Sequence, residues 1–292
     1  MALTFDDGPF TYTSQILDIL DKLQVKATFF ITGNNKGNGH IDQGWTGYRD
    51  VLRRMYNTGH QIASHTWTHR DLNSLVQFDG STSVELGLRV RKSEMIFNEM
   101  AFRNIFGWIP TYMRAPYLEC AESCQEFMGQ LGYHIISTNM DTKDYLSNDP
   151  SLIEQARQRF SDGVSTNAAQ SSYISLAHDI HLQTVINLTP FMVELSRSRG
   201  YKLVTVGECL GDPETNWYRF VDGASRAEGD SGRRAPSPPS KPRNTQVVGS
   251  GQRCGPSTGK TCLGSGFGDC CSEFGYWYVP PPYPAPTMFA SY

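Results

Sequence analysis

Two adjacent carboxylates, Asp6 and Asp7, close a short apolar run at residues 2–5 and lead into Gly8 and Pro9. Neighbouring residues leaving a strand point to opposite sides, so one carboxylate can bind a cation while the other handles a proton. Alone, DDGP also suits an ordinary turn after an edge strand. Polar residues further along supply partners that a turn does not need. His65 and His69 are four apart, so on one helical turn or in a compact loop both imidazoles can face one cation. With one carboxylate from the first strand they form a two-His, one-carboxylate set, which leaves coordination positions open for water and substrate. A cation held that way polarises a carbonyl and lowers the pKa of bound water towards ~7. The second carboxylate is placed to take the proton. His178 can protonate a leaving group, Asp141 can hold that imidazole in one tautomer, and Arg114 can orient the base carboxylate. Together these residues describe metal-assisted hydrolysis of an acyl bond.

Each of these groups needs an element to carry it. Runs at 2–5, 27–31, 61–64, 111–114, 134–139, 173–177 and 202–206 read as seven strands. The most continuously apolar of them, at 27–31, is typical of a strand covered on both faces. Helical patterns alternate with them. Thr13 can cap a helix whose apolar face is Ile16, Leu17, Leu20 and Leu23, and a second helix runs to about residue 57, stopped by Gly59. A long helix over 83–106 ends at Gly107 and Pro110, and others follow at 120–131, 151–160 and 185–199. This sustained alternation predicts an α/β fold, a distorted (β/α)7–8 barrel, with a doubly wound sheet as the alternative. Position favours the barrel: Asp6, Asp7, His65, Arg114, Asp141 and His178 lie at or just past strand ends, where barrel enzymes build their sites.

At 292 residues, with 39% hydrophobic and 19% charged, the chain can bury one large core plus an appendage. A net charge of −3 gives no basic footprint for nucleic acid, and no apolar run is long enough to span a bilayer. The partner expected is a neutral one, met by a monomer. A catalytic domain at 1–220 precedes a Gly, Ser, Pro and Arg-rich linker at 221–252, a small Cys-rich C-terminal module at 253–277 and a Pro-rich tail at 278–292 expected to be disordered. Cys120 and Cys124 are four apart, and Cys254, Cys262, Cys270 and Cys271 crowd the tail, a disulfide framework typical of an oxidising compartment. The N-terminus carries no signal peptide and the cysteine count, seven, is odd. Both fit a sequence truncated at its N-terminus, with the export signal and a partner for Cys209 upstream. The protein is expected to be secreted or held in the cell wall.

In chain order, TFDDGP (4–9), HTWTH (65–69), RAPY (114–117), DTKDY (141–145) and LAH (176–178) resemble the five ordered motifs of the polysaccharide deacetylases, carbohydrate esterase family four, also called the NodB homology domain. The resemblance covers about residues 1–220, and five motifs in order are highly specific. Stretches such as GHQIASHTWTHRDL and GYHIISTNMDTKDY resemble the fungal chitin deacetylases more narrowly. The resemblance implies a distorted barrel of seven or eight βα units and a divalent metal, most often zinc, with cobalt the alternative. It implies hydrolysis of the N-acetyl groups of chitin to chitosan and acetate. By motif, Asp6 becomes the general base, Asp7, His65 and His69 the metal ligands, and His178 the general acid tuned by Asp141. Arg114 orients Asp6, the Tyr117 N–H helps bind the oxyanion, Leu176 lines the acetyl pocket, and Tyr145 is an aromatic wall where the family often has Trp. Ala115 stands where a proline is common, which loosens the loop presenting Tyr117.

The tail RCGPSTGKTCLGSGFGDCCSEFGYW resembles a hevein-like chitin-binding module, which implies that Ser272, Phe274 and Tyr276 meet N-acetylglucosamine. The pattern breaks at Trp277, leaving an incomplete module short of its disulfide staples. Two other readings stay open: the same machinery acting on peptidoglycan or acetyl-xylan, and a non-catalytic chitin-binding protein. The intact Asp6 and His178 argue against the second, since a lectin needs neither base nor acid.

Overall fold

The computed structural model describes residues 1–35, 39–73 and 84–220. The linker, the Cys-rich module with Ser272, Phe274 and Tyr276, and the Pro-rich tail lie outside the described residues. Nine strands are described: β1 (Ala2–Asp6), β2 (Thr28–Ile31), β3 (Gln61–Ser64), β4 (Trp108–Pro110), β5 (Tyr112–Met113), β6 (His134–Ile135), β7 (Met140–Asp141), β8 (Ile174–His178) and β9 (Tyr218–Phe220). β1, β2 and β3 are buried at every position, as strands covered on both faces must be.

Seven of the strands pair in parallel in the order β6-β5-β3-β2-β1-β8-β7. Read as a circle, that order follows the chain. β6 and β7 are the two edges, yet only residues 136–139 separate them. Five residue steps reach at most about 17 Å, whereas seven strands laid flat span roughly 29 Å. The sheet is therefore curled into a half-barrel. Arg114 gives an independent measure of the curl. It follows β5, three strand spacings or about 14 Å from β1 around the sheet, but its Nη1 lies 2.7 Å from both Thr4 Oγ1 and Asp6 Oδ1.

The strand predicted at 134–139 is thus divided between both edges. The Ile136 N–H reaches the Met113 carbonyl on one side, and the Asn139 N–H reaches the Ile174 carbonyl on the other. The strand predicted at 202–206 shrinks to one bridge between Val204 and Ala2, because Thr205 and Glu208 form a capping box that starts a helix instead. β4 and β9, which the sequence did not reveal, form an antiparallel pair beside the barrel, where Trp108 packs on Tyr56, Phe106 and Tyr218.

Seven α-helices are described: α1 (Thr13–Leu23), α2 (Tyr48–Asn57), α3 (Val84–Phe106), α4 (Glu122–Gln130), α5 (Ile153–Gly163), α6 (Thr189–Ser198) and α7 (Val206–Cys209). α1 buries Ile16, Leu17 and Leu20. Thr13 is its first residue rather than its cap; the hydroxyl accepts the Phe10 N–H and donates to Asp179. A π-helical turn, Thr184–Leu188, precedes α6, and Pro190 in the next turn has no N–H to continue a regular ladder. Cys120 and Cys124 form a disulfide. Cys209, expected to await a partner upstream, is itself disulfide-bonded. No helix among the described residues is long and apolar enough to cross a membrane.

Gly207 shows how tightly this end of the barrel is packed. A Cβ placed there would come within 2.2 Å of the Trp217 indole. Gly207→Ala is expected to cost about 1–3 kcal/mol in urea unfolding, with activity per folded molecule unchanged.

Candidate active site

β1 ends at Asp6, and Asp7 follows it in the left-handed region at φ 76. That turn cancels the alternation expected of neighbouring strand residues, so both carboxylates face His65. Asp6 Oδ1 accepts from Arg114 Nη1 at 2.7 Å, while its Oδ2 lies 3.9 Å from His65 Nε2. Asp7 Oδ1 lies 3.4 Å from His65 Nε2 and 3.2 Å from His69 Nε2. Burial opposes the charge on Asp7, but the two imidazoles outweigh it and hold the carboxyl well below the usual range.

His65 leaves the end of β3. Its Nδ1 sits 2.7 Å from the Arg114 carbonyl, which can only accept, so Nδ1 carries the proton and Nε2 presents a lone pair. His69 follows on a loop rather than on a helical turn, with its ring edge-on to Tyr117 and to His65. One donor atom from each of Asp7, His65 and His69 lies within 4.8 Å of the others. Asp7 Oδ1 is buried and has no hydrogen bond of its own. An orphaned carboxylate oxygen facing two imidazole nitrogens is a donor set that fits a divalent cation with open positions.

β8 lies beside β1 and pairs His178 with Asp6. The residue that holds His178 is Asp144, not Asp141. Asp144 Oδ1 is 2.8 Å from His178 Nδ1, and its Oδ2 accepts the His178 backbone N–H and the Thr184 hydroxyl, each at 2.7 Å. The reason is register. Asp141 is still in β7, opposite Leu176 and two residues short of His178, and its carboxylate accepts the Lys143 N–H. Lys143, at φ 51, then turns the chain so that Asp144 faces the end of β8. Asp141 instead adds negative charge near Arg114. Burial of His178 acts to lower its pKa, but Asp144, with help from Asp7 and Asp6, raises it to about 10.

Leu176 lies one pleat below His178, on the face that carries Thr4 and Asp6. Tyr145 is half exposed and meets the His178 ring edge-on. Tyr117 is largely exposed at φ 60 above His69. Residues not singled out in the sequence complete the site: Asp144 on His178, Thr4 on Arg114, and Asn35, whose Nδ2 donates to the Asp7 carbonyl at 2.9 Å. Asp144 and Thr4 stood inside the DTKDY and TFDDGP motifs, which did not tell their contacts; Asn35 carried no signal.

The family model described as polysaccharide deacetylase matches residues 1–136. A chitin deacetylase of Colletotrichum lindemuthianum is 48% identical over 219 residues, covering 75% of this chain and 82% of that one. A chitin deacetylase of a Pestalotiopsis species is 38% identical over 291 residues, covering 100% of this chain and 85% of that one. The solved structure of the Colletotrichum lindemuthianum chitin deacetylase superposes with a TM-score of 0.69 at 47% identity, covering 75% of this chain and 91% of that one.

The Arg114 to Asp6 pair is fully buried on the arginine side. Arg114→Met strands Asp6 without its cation and is expected to cost about 3–5 kcal/mol in denaturant unfolding. Adding Asp6→Asn should recover part of that loss but not all, since the carbonyls of Ile136 and Ser137 also lose their donors.

Proposed function

This chain belongs to the polysaccharide deacetylase family, and from that membership we propose that it hydrolyses the N-acetyl groups of chitin, releasing acetate and leaving glucosamine units. The observation that carries this reading is the pairing of a candidate base, Asp6, with a candidate acid, His178, at one level of neighbouring strands beside the Asp7, His65 and His69 cluster. The names of the Colletotrichum and Pestalotiopsis relatives support chitin as the polymer. The disulfide at Cys120 and Cys124 supports an extracellular or cell-wall setting.

In this reading Asp7, His65 and His69 hold a divalent cation, zinc first and cobalt second. When bound, it polarises the amide carbonyl and acidifies water. Arg114 keeps one oxygen of Asp6 occupied, so the other accepts the proton of the water that attacks the acetyl carbon. The Tyr117 N–H is the donor of this chain assigned to the oxygen that gathers charge. Asp144 holds His178 by Nδ1 and favours its charged form. Nε2 then gives its proton to the departing nitrogen as the C–N bond breaks, so the sugar leaves as a neutral amine. Leu176 offers an apolar wall for the acetyl methyl group, and Tyr145 flanks the acid.

Protein loaded with zinc is expected to release acetate from a short chitin oligomer. EDTA and Asp6→Asn should each abolish release, the substitution costing on the order of 10²–10⁴-fold. No release from a protein that is folded and binds zinc would overturn chitin as the substrate, leaving peptidoglycan and acetyl-xylan to compare.

The acid works while protonated, so kcat should fall as pH rises through the His178 ionisation. Asp144 is the foremost group raising that pKa. Asp144→Asn should therefore move the alkaline limb of the kcat profile to lower pH. A limb that stays in place would remove Asp144 from the tuning role.

A further inference from the structure

The loop between His65 and His69 is held in a costly conformation. Thr66 has φ 68 and His69 has φ 58. The left-handed region costs a residue with a side chain roughly 1–2 kcal/mol, and a β-branched residue such as Thr66 is a marked outlier there. Part of the restraint comes from the β2 side, where the Gly33 and Asn34 N–H groups reach the Thr66 and Trp67 carbonyls. His65 is also fixed by its own ring, through the Arg114 carbonyl. The approach to His69 is fixed from α3.

Along α3, Arg91, Glu94 and Asn98 stand at i, i+3 and i+7, one face of the helix, and all three are buried. A guanidinium, a carboxylate and an amide are costly to bury unless each is partnered. Their partners run along the metal loop in the opposite direction. Asn98 Nδ2 donates to Ser64 Oγ at 2.9 Å and to the Ile31 carbonyl at 3.1 Å, one residue before His65. Glu94 Oε2 accepts the Thr68 N–H at 2.7 Å and Oε1 accepts the Thr68 hydroxyl, one residue before His69. Arg91 Nε donates to the Leu72 carbonyl at 2.8 Å, past the end of the motif.

We propose that Glu94 is a positioning residue for the metal centre: α3 splints the loop, and both Glu94 oxygens fix Thr68 so that His69 is presented ready for the cation. The inference rests on Asp7, His65 and His69 being the metal site. Glu94 is not a ligand, since both its oxygens are committed to Thr68. It acts by sparing the cation the work of ordering a strained loop, the role of residues one step out from a metal.

The test uses the full chain freed of metal, titrated with Co2+ while its visible spectrum is recorded, with Zn2+ affinity measured by chelator competition. Glu94→Ala should weaken both ions by about 10–100-fold and change the cobalt spectrum. Glu94→Gln, whose amide can accept the Thr68 N–H and donate to the Thr68 hydroxyl, should restore affinity and spectrum close to the parent's. Thr68→Val, which removes only the hydroxyl bond, should fall between them and carries the test if Glu94→Ala does not fold. Tyr133→Phe is the control. It deletes the 2.8 Å bond from Tyr133 Oη to Glu99 on the same helix, so it should lower Tm and leave metal affinity unchanged. Parent affinity in Glu94→Ala and Thr68→Val, or an equal loss in Tyr133→Phe, would overturn the proposal. A parent chain that takes up neither ion would overturn the metal-site reading itself.

Discussion

A guanidinium with no exposure to solvent sits inside the barrel, and the site is assembled around it. Arg114 donates to Asp6 and Thr4 from β1 and to the Ile136 and Ser137 carbonyls, where the two sheet edges meet without a strand between them. Its face lies 4.1 Å from the centre of the Phe30 ring on β2. Its backbone N–H bonds Ser64 on β3, and its carbonyl fixes the tautomer of His65. Burial works against the charge, and Asp6 followed by Asp141 favours it. A buried ion pair is weak evidence for stability, but here one residue bridges the edges of the curled sheet, aims the candidate base and sets one imidazole. Its value lies in geometry as much as in free energy.

A second constraint is the backbone strain in the loops that leave the strands. Asp7, Thr66, His69, Tyr117, Leu118 and Lys143 all have positive φ, and all lie in the loops that carry the candidate site residues. Strain of this kind persists only where surrounding structure over-determines it. That surrounding structure can be identified residue by residue. Asn35 holds the Asp7 carbonyl, Glu94 holds Thr68, and Asp144 holds the start of the loop after β8. The turn after Asp7 is packed so closely on Asp179 that a Cβ at Gly8 would lie 2.2 Å from its carboxylate. Burial in that position pushes the Asp179 pKa up to about 7. Rigid strands and helices thus keep the candidate site's atoms on irregular backbone within fixed distances, the preorganisation that makes oriented groups effective.

How much of this could be read from the sequence depended on whether a residue's surroundings are local. Strands covered on both faces appear as apolar runs, and a polar residue ending such a run is visible, which is why Asp6, Asp7, His65, Arg114 and His178 were found. The choice between Asp141 and Asp144 was not local, because it depends on the register of β7 against β8 and on the turn at Lys143. The division of 134–139 between two edges was hidden for the same reason: only closure of the sheet reveals it. Arg91, Glu94 and Asn98 were hidden for another reason. Charged and amide residues on a long helix read as its solvent side, and nothing in their spacing says that a strained loop will cover them.

The two candidate proton-handling groups share a design of opposite sign. Asp6 is a carboxylate with one oxygen tied to a buried guanidinium, and His178 is an imidazole with one nitrogen tied to a buried carboxylate. Each keeps a single free atom in a defined direction, so the partner sets its aim. Since β1 and β8 are neighbours, the Asp6 and His178 backbones stand about one strand spacing, ~5 Å, apart. Asp7 belongs to neither pair; its unpartnered oxygen turns instead to His65 and His69. The carboxylate left without a donor is the one suited to a cation, and the left-handed turn at Asp7 separates its surroundings from those of Asp6.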